Sequence, residues 1–224
     1  MSNQTKFQEK NTRLRANNTD LSSILERINN LPTGSGGDTT YEDGLLDGSF
    51  TGEYINNRVT YLKDRTFYKL TGMTSATFNS VTRTGMYIFE SCTSLESISI
   101  PNTTYLGTAL LRGCTALTNA DFSEATQSGS YVFHNCTSLT HVELPKLARM
   151  QPNFFNNCSA LTTLILGKTD TICTLDNINA FSGSGVESGT GYIYVPDNLV
   201  DNYKTATNWS TYANQIKGLS ELEV

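Results

Sequence analysis

A repeat of 22 residues constrains this chain more than any other feature of its sequence. Four consecutive segments share one frame, in which Phe or Leu is followed three residues later by Cys and three residues after that by Leu. The cysteines of this frame stand 22 residues apart at every step: Cys92, Cys114, Cys136 and Cys158. A fainter copy one step earlier carries Leu70 at the cysteine position. A fixed period of this length predicts a solenoid, because each coil can bury its apolar side only by stacking on its neighbours.

Each repeat also contains a short segment in which apolar and polar residues alternate, and this pattern predicts a strand. Because successive side chains of a strand point to opposite sides, Ile98 and Ile100 are expected to face the core while their polar neighbours face outward. The outward positions recur in each coil and form two columns. With two tyrosines of a last predicted strand they make up what we call the recognition face: Ser97, Ser99, Asn119, Asp121, His141, Glu143, Thr163, Ile165, Tyr192 and Tyr194.

The recognition face is the predicted binding surface, because a solenoid exposes its outward side chains as one continuous wall. Its small polar groups, flanked by Tyr192 and Tyr194, suit a carbohydrate or a loop of another protein. The alternative interpretation is that these polar residues are only solvated.

The cysteine pattern indicates buried thiols. Residues that share one repeat position form a ladder along the coil interior, with rungs about 4.8 Å apart. That spacing is within the Cα reach of a disulfide, but residues of one ladder point the same way, which makes the disulfide geometry hard to reach. A metal site is also not expected, because it needs ligands that converge on one point. We therefore expect reduced thiols that act as small apolar residues, and the sequence predicts neither a metal site nor a cofactor.

The charge and hydropathy of the chain exclude several classes of partner. A net charge of −5 and a pI near 5.0 argue against a surface that binds nucleic acid. No apolar run approaches the roughly 18 residues that a membrane helix requires, so no membrane insertion is expected. The opening residues lack the apolar segment of a secretory signal peptide. These observations favour a soluble protein that is made in a cytoplasm.

Residues 5–31 are predicted to form a helix with a narrow apolar seam. A seam of this kind favours a coiled coil, and Leu21 followed by Ile24 favours a trimer or tetramer. Asn17 in the seam would fix the register at some cost in stability. The alternative is a single amphipathic helix that lies against another protein. The predicted oligomerisation residues are Phe7, Leu14, Asn17, Leu21, Ile24, Ile28 and Leu31.

The predicted fold is a β-rich α/β solenoid of about five coils with a cap at each end. Residues 1–31 form the stem helix, and residues 32–40 are a Gly-rich linker that begins at Pro32. Residues 41–64, where glycines interrupt short apolar pieces, form an N-terminal β cap. Residues 65–195 contain the repeats, and residues 196–224 form a helical C-terminal cap. This cap is expected to cover the end of the core with Leu199, Val200, Tyr203, Trp209, Tyr212 and Ile216.

The repeat frame resembles the BspA-like, or Treponema-type, leucine-rich repeats. Two coils match it most fully, namely Phe89-Cys92-Leu95-Ile98-Ile100-Pro101 and Phe133-Cys136-Leu139-Val142-Leu144-Pro145. The segment YVPDNLVDNYKTATNWSTYANQI also resembles the ending of such proteins in gut Firmicutes and their prophages. The resemblance implies a right-handed solenoid with a strand on one wall of every coil. It also implies an adhesion or interaction protein, and it brings no catalytic motif.

Candidate catalytic groups are few. His134 and His141 are the only histidines. His141 stands beside Glu143, one coil from Asp121, and this trio could bind a cation or polarise a substrate. A polar sheet face is nevertheless expected on any solenoid, and no serine stands in a nucleophile elbow or a Ser-His-Asp arrangement. The sequence predicts no catalytic residue and no enzyme.

The order of stem, linker and repeat head is the layout of a fibre or spike on a phage particle. The predicted function is a non-enzymatic virion protein: a homotrimeric stem that attaches to other virion proteins through its N-terminus, and a head that binds a glycan or protein of the host surface. Two alternatives remain open. One is a structural capsid or tail decoration fibre without a specific receptor. The other is a bacterial adhesin or interaction protein at the cell surface or outside the cell.

Overall fold

The computed structural model describes residues 48–167 and 170–222. The predicted stem, the linker and the first part of the N-terminal cap lie outside the described residues. The same holds for every predicted oligomerisation residue: Phe7, Leu14, Asn17, Leu21, Ile24, Ile28 and Leu31. The coiled coil therefore stays a prediction.

The described residues form a solenoid whose largest element is an eight-stranded sheet, which we call the wide sheet. All of its strand pairs are parallel, and consecutive coils add consecutive strands. The predicted solenoid fold is confirmed. The strands, in their order across the sheet, are β1 (Thr51–Ile55), β3 (Gly72–Thr77), β5 (Ser97–Ser99), β7 (Asn119–Asp121), β9 (His141–Leu144), β11 (Thr163–Leu166), β13 (Tyr192–Val195) and β14 (Ile216–Gly218).

A second wall of each coil carries a two-residue strand. Four of these strands pair in parallel into what we call the narrow sheet, and two more form a separate pair. The narrow sheet consists of β2 (Tyr61–Leu62), β4 (Arg83–Thr84), β6 (Tyr105–Leu106) and β8 (Gln127–Ser128). The separate pair is β10 (Arg149–Met150) and β12 (Thr174–Leu175).

The third wall, which we call the turn wall, consists of turns that are hydrogen-bonded from coil to coil through their backbones without forming strands. Within one coil the N–H groups of Arg65, Phe67 and Lys69 donate to carbonyl oxygens of the next coil, at 2.9, 3.0 and 2.9 Å. The same donors recur 22 residues later, as at Phe89 and Ser91. In each coil the first and last of these residues have positive φ, a backbone that few non-glycine residues adopt. They are Arg65, Tyr87, Ala109, Tyr131 and Asn153 in one column and Lys69, Ser91, Gly113, Asn135 and Asn157 in the other.

The core between the walls is a stack of buried rings and aliphatic side chains. Phe67 lies 5.1 Å from Phe89 with nearly parallel rings, and Phe133 lies 5.1 Å from Phe155 in the same way. Leu111 takes the intermediate position and is fully buried. Offset ring stacking adds to the stabilisation that comes from area burial. The period of 22 residues therefore repeats the backbone and the core packing together.

The cysteines are all free and buried, which confirms the prediction of reduced interior thiols. Their sulfurs also have a role that the sequence did not indicate. The Sγ of Cys92 lies 3.0 Å from the carbonyl oxygen of Phe67 in the preceding coil. Cys136 and Cys158 make the same contact with the coil before theirs, at 3.2 and 2.9 Å. A small apolar residue with a weak S–H donor fits this position, because it fills the interior and bonds the preceding turn.

A column of glycines lets the coils approach at the end of the narrow sheet. Gly85, Gly107 and Gly129 stand 22 residues apart. A Cβ on Gly107 would overlap the backbone carbonyl of Gly85, and a Cβ on Gly129 would overlap the backbone of Thr108. Any larger residue would push neighbouring coils apart at this corner.

The two ends of the solenoid are built differently. At the N-terminal end β1 pairs in parallel with β3, so this segment is a coil of the solenoid, with a register shift between Gly52 and Glu53. At the C-terminal end the helical prediction is wrong for Ile216, which belongs to β14 and pairs with Ile193 of β13. The helices that precede it are short: α1 (Gly185–Ser188), α2 (Val200–Thr205) and 3₁₀ turns at Ile178–Phe181, Asp197–Leu199 and Trp209–Gln215. One further 3₁₀ turn, Leu219–Glu221, follows β14.

The remaining apolar residues of the predicted C-terminal cap do cover the core. Trp209 and Tyr203 are fully buried, and their rings meet edge to face at 5.3 Å. Tyr212 packs on Phe181 of the last coil at 5.0 Å. Trp209 Nε1 and the Tyr203 hydroxyl both bond to the backbone of Cys173, which ties this segment to the end of the stack.

We expect Gly107→Ala to lower the free energy of unfolding by about 3 kcal/mol, because the new methyl group meets backbone that cannot move aside. Gly113→Ala is the matched control, since its Cβ would approach no atom closer than 3.5 Å and would meet only the strain of a φ of 76°. That strain costs about 1 kcal/mol. Urea denaturation measures both, and equal losses would contradict the close approach of the coils.

Burial raises the pKa of the Cys158 thiol to about 12 and raises that of Cys136 well above its usual range. The folded state therefore favours neutral thiols. The stability from this preference is present below the ordinary thiol pKa of about 8.5 and is lost as the pH rises toward the folded value. Urea denaturation between pH 8 and pH 11 should show this loss, with a slope near 1.4 kcal/mol per pH unit for each buried thiol. The variant Cys136→Ala should reduce the slope by about 1.4 kcal/mol per pH unit, the contribution of one thiol. An unchanged slope would contradict this account.

Candidate binding face on the wide sheet

The recognition face lies on the outer side of the wide sheet, and strand pairing aligns its residues in two columns. Ser97 pairs with Asn119, and His141 pairs with Thr163. In the second column Ser99 pairs with Asp121, and Asp121 with Glu143. The same column continues through Ile165, Tyr194 and Lys217. As far as Ile165 the alignment follows from the 22-residue period, which keeps each position in register with its copy in the next coil.

The exposure of the ten predicted residues is uneven. Asn119, Asp121, His141 and Glu143 are exposed, while Ser97, Ser99, Thr163 and Tyr192 are half-buried. Ile165 and Tyr194 retain only 6% and 8% exposure, which corrects the prediction that their side chains are available to a ligand. In the second column Ile165 and Tyr194 are neighbours, with Glu143 on one side of the pair and Lys217 on the other. These large side chains cover them.

Tyr192, the other tyrosine of the predicted face, has one face of its ring in contact with a lysine. The Lys217 Nζ lies 3.9 Å from the centre of the Tyr192 ring, a cation–π contact. The Tyr192 and Tyr194 rings pack on each other at 6.5 Å. The sequence indicated nothing of Lys217, because its segment was expected to be helical. Tyr194 therefore offers no open ring face to a carbohydrate, and one face of the Tyr192 ring is occupied by Lys217.

The central part of the face is a groove of about 470 Å³. Six of the predicted residues line it together: Ser97, Ser99, Asn119, Asp121, His141 and Glu143. Sequence reasoning missed the other lining residues, which are Ala76, Thr77, Ile98, Ala120, Ser123 and Pro145. Thr77 could have been found, since it stands 22 residues before Ser99.

Asp121 is held in place by its neighbours in the groove. Its Oδ2 accepts a hydrogen bond from Ser99 Oγ at 3.2 Å, and its Oδ1 accepts from the Ser123 backbone N–H at 3.3 Å. Glu143 Oε1 lies 3.3 Å from His141 Nε2. These contacts orient the two carboxylates without burying them.

The two carboxylates repel each other across the sheet. Asp121 and Glu143 are direct partners in adjacent parallel strands, which are about 4.8 Å apart. Among residues 48–167 and 170–222, no Lys or Arg forms an ion pair with either one. Like charges that face each other across strands destabilise a sheet. The arrangement thus leaves a negative groove that a cationic group would stabilise.

The second histidine does not belong to this groove. His134 lies on the turn wall, with its ring 5.5 Å from that of Tyr131. Burial, and secondarily the charge of Arg112, holds the pKa of His134 below its usual range. Its Nδ1 is buried and has no hydrogen-bond partner within the described part of the chain.

The described residues provide little for metal chemistry or membrane insertion. They contain no group of three or more His, Cys, Asp or Glu side chains that could hold a metal ion. None of the helices that the structure describes is long and apolar enough to cross a membrane.

Comparison with solved structures finds bacterial leucine-rich repeat proteins of low identity. A leucine-rich cell surface protein from Faecalibacterium prausnitzii is similar at 22% identity and a TM-score of 0.56, over 77% of this chain and 48% of that one. A leucine-rich repeat protein from Bacteroides ovatus has 20% identity and a TM-score of 0.60, over 75% and 42%. The T. pallidum leucine-rich repeat protein has 18% identity and a TM-score of 0.50, over 62% and 64%.

These similarities establish the fold. The chain covers less than two thirds of each of the three proteins, so their whole-protein roles do not transfer. No curated protein matches the chain. The model of one family, described as the BspA type leucine-rich repeat region, matches residues 47–185 in six copies. That match spans more than half of the sequence and includes the groove of the recognition face, and the chain therefore belongs to the BspA-type leucine-rich repeat family.

Proposed function

We propose that this protein is a non-enzymatic interaction protein that binds a basic segment of another surface protein in the groove of its recognition face. The observation that carries the proposal is the pair Asp121 and Glu143, adjacent on neighbouring strands and without an ion-pair partner among the described Lys and Arg residues. A guanidinium or ammonium group between them would remove their mutual repulsion and form charge-assisted hydrogen bonds.

The groove favours a protein loop over a glycan on this face. Within the described part of the chain the residues that line the groove include no aromatic ring on which a sugar could stack, and Tyr194 is nearly buried. The polar lining from Ser97, Ser99 and Asn119 offers hydrogen bonds to a peptide backbone along the column. An extended loop of a partner would lie across the strands and place one basic side chain at the carboxylate pair.

The setting that we propose is a phage virion, in which residues 1–31 form a trimeric stem and the repeats form the receptor-binding head. The heptad spacing of the stem supports this proposal. A second setting is supported by the similar Faecalibacterium structure, which is described as a cell surface protein. In that setting the same groove would serve an adhesin or interaction protein of a bacterial surface.

The carboxylate pair can be tested with a variant that removes both charges and keeps the shape. We expect Asp121→Asn with Glu143→Gln to weaken binding of an eight-residue peptide of alternating Lys and Ser by at least tenfold, measured by calorimetry at low salt. Added salt should weaken the wild-type interaction, because the carboxylates are exposed. The same variant should be more stable by about 0.5 kcal/mol, since one pair of like charges is removed.

The matched control carries Asp170→Asn with Asp201→Asn, which changes the net charge equally but lies outside the groove. Peptide binding that falls equally in both variants would show a general charge effect and would overturn the assignment of the groove. Failure of the wild-type protein to bind any basic peptide would do the same.

The stem is tested by oligomeric state. Light scattering should give a trimer for the full chain and a monomer for a version that begins at Thr39, because only the former contains the apolar seam. Monomers in both cases would remove the support for a trimeric fibre and would favour the second setting.

A further inference from the structure

The outer side of the narrow sheet carries a column of aromatic and basic side chains that the recognition face does not use. Tyr61 pairs with Arg83, Arg83 with Tyr105, and Tyr105 with Gln127. Tyr61 is 48% exposed, and Arg83 and Gln127 are exposed as well. Tyrosine and arginine concentrate at binding surfaces, since both combine a large apolar area with a polar end.

Arg83 is the centre of this column. Its guanidinium lies 5.1 Å from the centre of the Tyr105 ring. In the described part of the chain, no carboxylate lies within ion-pair distance of Arg83. By contrast, Arg149 farther along this wall is neutralised by Asp176 at 2.8 Å. Arg83 thus presents a positive charge between two tyrosines, while the whole chain is acidic with a net charge of −5.

Tyr105 also borders a second groove, of about 530 Å³, on the side toward the following coils. Since Arg83 belongs to the preceding coil, the groove and the guanidinium lie on opposite sides of the tyrosine. Small residues such as Gly129 and Ala148 leave the groove open. Its polar side chains are hydroxyls, amides and a guanidinium: Thr108, Gln127, Ser128, Ser130, Arg149 and Gln151.

This combination fits a sugar chain. The apolar face of a pyranose ring packs on an aromatic ring, and its hydroxyl groups exchange hydrogen bonds with amides and hydroxyls. Strands two apart place Tyr61 and Tyr105 about 10 Å from each other, with Arg83 midway. Successive sugar rings of an extended β-linked chain repeat at nearly the spacing of strands. A chain in which every second ring carries a carboxylate would therefore set one carboxylate against Arg83.

We propose that the narrow sheet binds an acidic polysaccharide, with its sugar rings on Tyr61 and Tyr105, its carboxylate on Arg83, and its continuation in the groove beyond Tyr105. This site is separate from the groove that contains Asp121 and Glu143, since the two lie on different sheets. A protein that used both would recognise a surface polysaccharide and a surface protein at the same time.

The test uses a β-linked hexasaccharide that alternates glucuronic acid with N-acetylglucosamine, and the same hexasaccharide after reduction of its carboxyl groups. The full-length protein should bind the acidic form at least tenfold more tightly, measured by calorimetry. Arg83→Gln should abolish this preference, because it removes the charge and keeps a polar side chain. Tyr105→Ala and Gln127→Ala should weaken the binding of both forms, and Gln127 is exposed enough to change without disturbing the fold.

Matched controls separate this site from the rest of the chain. Arg112→Gln removes an arginine of the turn wall that lies 3.5 Å from Glu90, and it should leave binding unchanged. Asp121→Asn with Glu143→Gln should also leave it unchanged, so a failure here and a failure of the proposed function are distinguishable. Equal binding of both hexasaccharides, no binding of either, or a loss with Arg112→Gln as large as with Arg83→Gln would overturn the proposal.

Discussion

The spacing between coils is the constraint on which the rest of the structure depends. Three walls must keep the same separation in every coil: the wide sheet, the narrow sheet and the turn wall. The sheets set it by their backbone hydrogen bonds, and the glycine column permits it where Gly107 touches the Gly85 carbonyl. Because all three walls share one spacing, a side chain that is too large at one corner would strain the other two.

Both candidate binding surfaces result from this spacing. Residues at the same repeat position of consecutive coils lie side by side, one strand spacing apart, whether their side chains attract or repel each other. The period therefore creates the unfavourable contact between Asp121 and Glu143 on the wide sheet, and the favourable contact between Arg83 and Tyr105 on the narrow sheet. A solenoid can hold such contacts because each contributes little against the buried rings and aliphatic side chains of its coil.

The sequence predicted the parts of this structure that recur with the period. Strand alternation placed Ile98 in the core and Asp121 outside, and the shared cysteine position indicated buried thiols. The family assignment is confirmed by the six matched repeat copies. The C-terminal end does not follow the period, and its structure was not predicted correctly. Ile216 forms a strand because β13 offers it an edge, and the burial of Tyr194 depends on that added strand. The glycine column was visible as a 22-residue spacing and could have been predicted.

The turn wall gives the molecule a direction. Every N–H that crosses between coils on this wall, such as that of Phe67 or Phe89, points from its own coil toward the next one along the chain. On this wall each coil therefore presents carbonyl acceptors to the preceding coil and N–H donors to the next one. An inserted copy of a coil would offer the same groups to both neighbours, and the two ends of the solenoid would stay as they are. The length of such a protein can change by whole coils, and the outer columns of both sheets would lengthen in step.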